Sequence, residues 1–553
     1  MLLFFLSGNA FSLWGFPFSF RKQELKTDYS QTFWDQIMQE QSLSDIRRGM
    51  GEMAAADYTS ASNSFAKAVI KNTRNPLPYL LLGASLYWAG KVDNAISEYK
   101  EALSLDDKNP MAYQLLGIAY GWKGDVNLAQ DYFLKANALD SNKADTHMNL
   151  GSTYAVQGNW EKALEHFRRS AELAPQEPLY HFQLATLYEA MGRDEQAEKS
   201  FKKALSLFSH YEDAQLSLAA LYEKMGNTSH ALKYYKKAVR TKPLDHVARL
   251  RLAVLYWKTG QFAQAREVME KAFSIVAFRQ DGLALNAVYR ASGNSSAVFE
   301  EQIKKFKDSL SQVPFSKPVN IEVGLEYTPV APPAQQKKEE TSSFEKAYQT
   351  FRPAQGVVPS DSPMAFRRSF VLPVSDENQR QEQINSFIDG LLNTLSRSDG
   401  KYQVSLSLQG RTMDYASPYA LNQNKTTAPK AVYDPRIVGN DMGLWVMGKT
   451  WLKHIAEAEE DLSENVSLQA DTELFYLLSG LAALVRADTV SAKTSFLKAQ
   501  EENPNSALAL LGLGTTHITA GEDSAATAFY KQVLILDKDN KTAKKNLKVL
   551  EQE

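Results

Sequence analysis

The stretch PMAYQLLGIAYGWKGDVNLAQDYFLKANALDSNK, Pro110 to Lys143, decides the fold, because its features recur at a fixed step along the chain. Its Ala129 belongs to a comb of Ala61, Ala95, Ala129, Ala163, Ala197, Ala231 and Ala265, each 34 residues after the last. Its Leu116 and Gly117 recur as Leu82–Gly83 and Leu150–Gly151, then as Leu184, Leu218 and Leu252 followed by Ala185, Ala219 and Ala253. Self-similarity at one period is the mark of a repeat architecture.

The other columns keep the same step. Tyr120 recurs as Tyr154, Tyr188, Tyr222 and Tyr256, with Leu86 ahead of it, and Gly124 as Gly90, Gly158, Gly192, Gly226 and Gly260. A glycine there ends a first helix where the turn needs a positive φ. The alanine comb then opens a second helix, followed by Phe65, Tyr99, Phe133, Phe167, Phe201 and Tyr235, and by Ala68, Ala102, Ala136, Ser170, Ala204, Ala238 and Ala272. Spacing of i, i+4, i+7 puts these three columns on one face.

This helix–turn–helix unit resembles the tetratricopeptide repeat family, whose signature runs Leu-Gly, Tyr, Ala, Phe, Ala, Pro. The resemblance covers seven repeats over residues 42–275 and implies an all-α dominated fold, a right-handed α-solenoid. The final Pro survives only at Pro175 and Pro243, and the first repeat keeps Gly49 but lacks the Leu–Tyr pair, as an end cap would. Residues 278–310 read as a degenerate capping helix pair. The pattern returns at Gly480, Ala492, Phe496 and Ala499, then Gly514, Gly521, Ala526 and Tyr530, giving two more repeats over 473–540 and a capping helix over 541–553.

Between the arrays, residues 311–435 turn to Pro, Ser, Gln and Thr, with VAPPAQQKKEETSS as a linker in which disordered forms are expected. VNIEVGLEY and YQVSLSL alternate apolar and polar residues as half-buried strands do, and QINSFIDGLLNTL carries a helical apolar stripe. The expectation is a small, partly disordered α+β insertion, followed by a helix over 441–462.

Composition excludes several functions. Lys plus Arg number 62 against 64 Asp plus Glu, so no general positive field favours nucleic acid. The absence of cysteine removes disulfides, thiolate nucleophiles and Cys-based metal or haem sites. The first twenty residues, MLLFFLSGNAFSLWGFPFSF, lack any charge and precede Arg21 and Lys22, so residues 1–22 read as a signal or anchor with faults. The missing basic start and the interruptions at Gly8, Asn9, Gly15 and Pro17 also fit an apolar strand or docking segment. The reading adopted is an exported or envelope-associated chain rather than a cytoplasmic one, with membrane contact confined to residues 1–20.

GLWVMGKT, Gly443 to Thr450, matches the phosphate-loop pattern G-x-x-x-x-G-K-[ST] and makes Gly443, Gly448, Lys449 and Thr450 candidate nucleotide ligands. The context argues against it: VYDPRIVGNDM is a poor feeding strand, and Leu444, Trp445, Val446 and Met447 are too bulky to cradle phosphate. The expectation is a helix from near Asp441 with Leu444, Gly448, Trp451, Leu452 and Ile455 as its stripe. VLILD, Val533 to Asp537, mimics a Mg²⁺-binding strand but falls in a repeat helix. His147 and His181 share a column without a third ligand, so no metal and no cofactor is expected. No hydrolase, zinc-helix or dinucleotide motif occurs, the carboxylates read as solvated, and the chain is taken as non-enzymatic.

In the resembled family the first helices line a concave groove that takes a protein or peptide. The corresponding positions here are Leu80, Gln114, Met148, Phe182, Leu216 and Leu250, with Tyr87, Trp88, Trp122, Glu189, Glu223, Lys224, Trp257 and Lys258. The Lys and Asn that family members use to grip a terminal carboxylate are replaced by Leu80 with Ala84 and Gln114 with Ile118. An apolar, aromatic-lined groove implies a hydrophobic or amphipathic segment as the partner, held by Leu80, Tyr87, Trp88, Gln114, Trp122, Met148, Phe182 and Trp257.

Overall fold

The computed structural model describes residues 43–54, 57–243, 245–274, 288–295, 297–313, 319–329, 364–372, 377–396, 402–412, 446–447, 451–464, 471–486 and 488–551. The apolar N-terminal segment, the VAPPAQQKKEETSS linker, and Gly443, Gly448, Lys449 and Thr450 lie outside the described residues.

Seven helix pairs fill residues 43–272. Their first helices are α1 (Leu43–Ala54), α3 (Pro76–Trp88), α5 (Pro110–Trp122), α7 (Ala144–Val156), α9 (Pro178–Ala190), α11 (Glu212–Lys224) and α13 (His246–Lys258). Their second helices are α2 (Tyr58–Lys71), α4 (Val92–Leu105), α6 (Val126–Leu139), α8 (Trp160–Leu173), α10 (Asp194–Leu207), α12 (Thr228–Thr241) and α14 (Phe262–Ala272). Local chemistry sets the boundaries. Asn109 caps α5 by accepting from the N–H of Met111 and Ala112, and Pro110 fills the first position, where a missing N–H costs nothing. Gly124 turns out of α5 at φ +76°. Every alanine of the comb has no exposed surface. The small residue after the leucine lets paired helices touch: a Cβ on Gly117 would stand 2.5 Å from the Phe133 ring.

The C-terminal repeats, α18 (Thr472–Val485) with α19 (Thr489–Glu502) and α20 (Ala507–Thr519) with α21 (Asp523–Leu536), stack directly on the seventh repeat. Arg266 holds Asp471 through two hydrogen bonds of 2.6 and 3.0 Å and Glu473 at 2.8 Å. The Phe273 ring meets Phe496 edge-on at 5.5 Å, and its carbonyl accepts from Thr515 and from Asn546 of the last helix, α22 (Lys541–Glu551). The two arrays are therefore one solenoid, and the insertion loops out between its seventh and eighth repeats.

The insertion carries an antiparallel sheet of order β1-β4-β2-β3-β5, built from β1 (Val288–Gly293), β2 (Val319–Pro329), β3 (Met364–Leu372), β4 (Tyr402–Thr412) and β5 (Val446–Met447). Leu325 stands opposite Leu406 on one side and Phe366 on the other, so the alternating residues of three strands share a buried face. Helices α15 (Ala297–Gln312) and α16 (Glu377–Leu395) cover it with Phe299, Ile303, Phe306 and Ile384, Phe387, Leu391.

Two expectations are corrected. Within residues 278–310, expected as a helix pair, 288–293 are instead strand β1, paired with β4 through Tyr289 and Leu408, and α15 follows from Ala297, while 278–287 lie outside the described residues. Pairing with a strand more than a hundred positions away outweighs local helical preference. The helix over 441–462 begins instead at Trp451, because Val446 and Met447 pair with Arg367 and Phe366 on the edge of β3. The α+β unit therefore extends beyond 311–435 at both ends.

Candidate protein-interaction site

The predicted groove residues divide into two groups. Leu80, Gln114, Met148, Phe182 and Trp257 are buried. Phe182 packs on Phe201 and Tyr211, Trp257 on Phe475, and Gln114 accepts a hydrogen bond from Thr146 at 3.3 Å. These five join neighbouring helices. Tyr87, Trp88 and Trp122 are half-buried and form a row with Tyr58: Trp88 stacks on Tyr58 at 5.9 Å, and Tyr87 meets Trp88 and Trp122 edge-on at 5.9 and 6.2 Å.

The insertion returns to the solenoid at three places. Helix α16 crosses the turns after α3 and α5, where Gln383 donates to the Ala89 carbonyl at 2.7 Å and Asn393 to the Lys123 carbonyl at 3.1 Å. The fit is tight: a Cβ on Gly390 would lie 2.6 Å from the Trp122 carbonyl oxygen. Strand β5 lies against α7 and α9. Helix α17 (Trp451–Glu464) lies against α13 and α18.

At α17 the charged end of the groove closes into an ionic cluster. Arg251, only 5% exposed at its side chain, donates to Tyr235 and to Glu223 at 2.9 Å, and reaches Asp461 at 3.3 Å and Glu457 at 3.9 Å. Lys258 bridges Glu223 at 2.8 Å and Asp461 at 2.7 Å. Burial pushes the Asp461 carboxyl up, and the hydrogen bond from Lys258 and the Arg251 charge only partly offset it. Burial works to lower the Arg251 pKa, but Tyr235, Glu457, Glu223 and Asp461 outweigh it and hold the guanidinium charged. Carboxylates read in the sequence as solvated thus include Glu457 and Asp461, which meet cations of the seventh repeat across the fold. Lys453 adds a bond to Glu326 on β2 at 2.9 Å, and Arg486 on α18 pairs with Glu459.

His147 and His181 do not come together. His181 bonds the Pro175 carbonyl, whereas His147 Nδ1 lies 2.9 Å from His166 Nδ1, a partner that column reasoning missed. His166 itself belongs to a recurring pattern around the repeat tyrosines. Lys100, Arg168, Lys202 and Lys236 each lie over the repeat tyrosine of the following first helix, Tyr120, Tyr188, Tyr222 and Tyr256. Leu134 interrupts this series, so Tyr154 takes Lys162 of its own repeat at 5.1 Å and stacks on His166 at 5.4 Å, as Tyr120 and Tyr222 stack on Tyr132 and Tyr234. A cleft of about 550 Å³ opens beside His147, His166, Arg169 and Arg193. Among the described residues no group of three or more potential ligands is placed to hold a metal. None of their helices is long and apolar enough to cross a membrane.

Models of the tetratricopeptide repeat match residues 83–124, 142–210, 182–245 and 224–277. The chain carries tetratricopeptide repeats within residues 83–277, and such repeats support a protein–protein interaction scaffold. Among solved structures it is similar to YrrB, described as a TPR protein with an unusual peptide-binding site, at 25% identity over 34% of this chain and 96% of that one, TM-score 0.30. A thermophilic TPR protein of Thermus thermophilus aligns at 28% identity over 32% of this chain and 98% of its own, TM-score 0.28. Pseudomonas aeruginosa pilF aligns at 18% identity over 38% and 93%, TM-score 0.34. No curated protein matches the chain.

Proposed function

We propose that the protein is a non-enzymatic scaffold whose inner face receives an apolar segment of a protein partner at the aromatic row of repeats 2 and 3. The observation that carries this reading is the half-exposed sequence Trp88, Tyr87, Trp122, held in mutual edge-on contact. Rigid aromatics in a row supply large contact area at little entropic cost and are the residues on which interface energy concentrates. The buried members Leu80, Gln114, Met148, Phe182 and Trp257 pack inside the solenoid and offer little surface to a partner. The uncharged N-terminal residues favour an exported or envelope-associated assembly role.

A photo-crosslinking side chain at position 88 tests the face, with position 70 as control, since Ile70 is 76% exposed on a second helix. Capture of a discrete partner from 88 and not from 70, lost in a folded Tyr87→Ala, Trp122→Ala background, supports the reading. Equal capture from both positions, or capture unaffected by those substitutions, removes it.

A further inference from the structure

We infer that the aromatic row of repeats 1 to 3 seats the chain's own leading segment, residues 11–20, FSLWGFPFSF, along Tyr58, Trp88, Tyr87 and Trp122. The inference rests on that row being a protein-binding face. It names the chemistry the row takes: an uncharged extended segment with an aromatic side chain at every second position.

The row sets a spacing. Tyr58 and Trp88 stand 5.9 Å apart, Trp88 and Tyr87 5.9 Å, and Tyr87 and Trp122 6.2 Å. In an extended chain, side chains two positions apart lie on one side at roughly 6.6 Å from each other. Trp14, Phe16, Phe18 and Phe20 fall at that interval, with Gly15, Pro17 and Ser19 on the opposite side. A helix through Gly15 and Pro17 is disfavoured, whereas an extended segment accepts both. The interruptions that spoil residues 1–20 as a spanning helix therefore suit a segment laid along a row of rings. Offset and edge-on ring pairs add to the burial of their area, and neither the segment nor the four rings carry a charge that would have to leave water.

The tether brings segment and row together. Leu43, where α1 begins, packs against the same buried cluster of Ile46, Met53, Phe65 and Leu82 as Tyr58 and Trp88 do, so the chain enters the solenoid beside the first rings of the row. Phe20 is separated from Leu43 by 22 residues. A flexible chain of that length has an end-to-end distance of about 25 Å and a full reach of about 75 Å, more than three ring-to-ring steps of 5.9 to 6.2 Å require. A segment tethered so closely meets its seat at an effective concentration of about a millimolar, and modest contacts then keep it there.

The test uses the purified full chain, with no other protein present, carrying a photo-crosslinking phenylalanine derivative in place of Phe16. A link within one chain to a peptide containing Tyr58, Tyr87, Trp88 or Trp122 is expected, and a folded Trp88→Ala, Trp122→Ala background should lower its yield at least tenfold. No link, a link elsewhere in the chain, a link between two chains that runs as a dimer on a denaturing gel, or a yield unaffected by the double substitution overturns the inference. Isolation of the mature protein without residues 11–20 overturns it too. Where the double variant does not fold, the site of the link in the otherwise unaltered chain decides. Capture of a partner from position 88 with no link from position 16 would keep the row as the binding face and remove only its resident segment, so the two readings fail separately.

Discussion

Arg251 and Asp461 lie 210 positions apart in the chain and 3.3 Å apart in space, joining the seventh repeat to the helix that leads back from the insertion. The guanidinium faces Glu223, Glu457 and Asp461 at once. Arg251→Ala would leave three carboxylates without their shared cation, and breaking such a buried network costs about 3–5 kcal/mol. Urea denaturation should show that loss, and Arg251→Lys should recover only part of it, because an ammonium cannot span the three acceptors as a planar fork does. A loss under 1 kcal/mol for Arg251→Ala would mean that the cluster opens to water.

Two glycines of one repeat column should respond differently to alanine. Gly226 has φ +73° and open space where a Cβ would go, so Gly226→Ala should cost only the left-handed strain, about 1 kcal/mol. Gly124 has φ +76°, and its Cβ would lie 2.1 Å from the Gly390 carbonyl oxygen. Gly124→Ala must therefore also lift α16 off the turn, and should raise hydrogen exchange in α16 where Gly226→Ala does not. Equal melting temperatures for the two variants would contradict the docking of α16.

Phe273 is fully buried at the junction of the seventh and eighth repeats. Phe273→Ala should cost about 3–5 kcal/mol through lost burial and a cavity. Arg266→Ala, at a guanidinium 30% exposed, should cost about 1 kcal/mol or less. Limited proteolysis should then release the C-terminal repeats from the Phe273 variant before the N-terminal seven are cut.

Two imidazoles with their Nδ1 atoms 2.9 Å apart accept only one proton comfortably. Burial, and then the His147 charge, push His166 down to about 4. A group whose folded pKa lies below its unfolded value stabilises the fold above the unfolded value and loses that contribution as pH falls through the folded one. Stability should therefore fall between about pH 6.5 and 4, by roughly 1–2 kcal/mol after allowing for the partial exposure of His166. His166→Gln should flatten that part of a stability–pH profile, and an unchanged slope would assign the loss to other groups.

The backbone of Val446 and Met447 is engaged with Arg367 and Phe366, inside the stretch that a phosphate loop would need free to curl. Titration with ATP and Mg²⁺ should give no saturable signal, and Lys449→Ala should behave as wild type. Saturable binding abolished by that substitution would restore the nucleotide reading.

The solenoid was legible because a repeat writes its contacts locally. Each comb alanine touches its own partner helix, so a fixed step in the sequence announces a buried column, and Ala492 and Ala526 carry the signal across the insertion. The groove positions were legible as first-helix positions, but five of them were not legible as buried ones. Phe182 is covered by Phe201 and Tyr211 and Gln114 by Thr146, inside the same or the next repeat, whereas Trp257 is covered by Phe475, more than 200 positions away, and packing at that range leaves no period to find. Strand β1 and the start of α17 failed for the same reason: their partners, β4 and β3, lie far along the chain. The acids Glu457 and Asp461 show in the sequence as a polar helical face, which is also how a solvated helix looks.

Because the insertion loops out between the seventh and eighth repeats, the last two repeats reach their seat only after about 200 intervening residues have been made. Closing a loop of that length costs only about 3 kcal/mol more than closing the short turn between ordinary repeats. The N-terminal seven repeats can thus form while the rest is still being synthesised, and the C-terminal pair arrives last, closing over Phe273 like a clasp. A nascent chain stalled before Asp471 would present the far face of the seventh repeat bare, with the Phe273 ring and carbonyl lacking Phe496, Thr515 and Asn546.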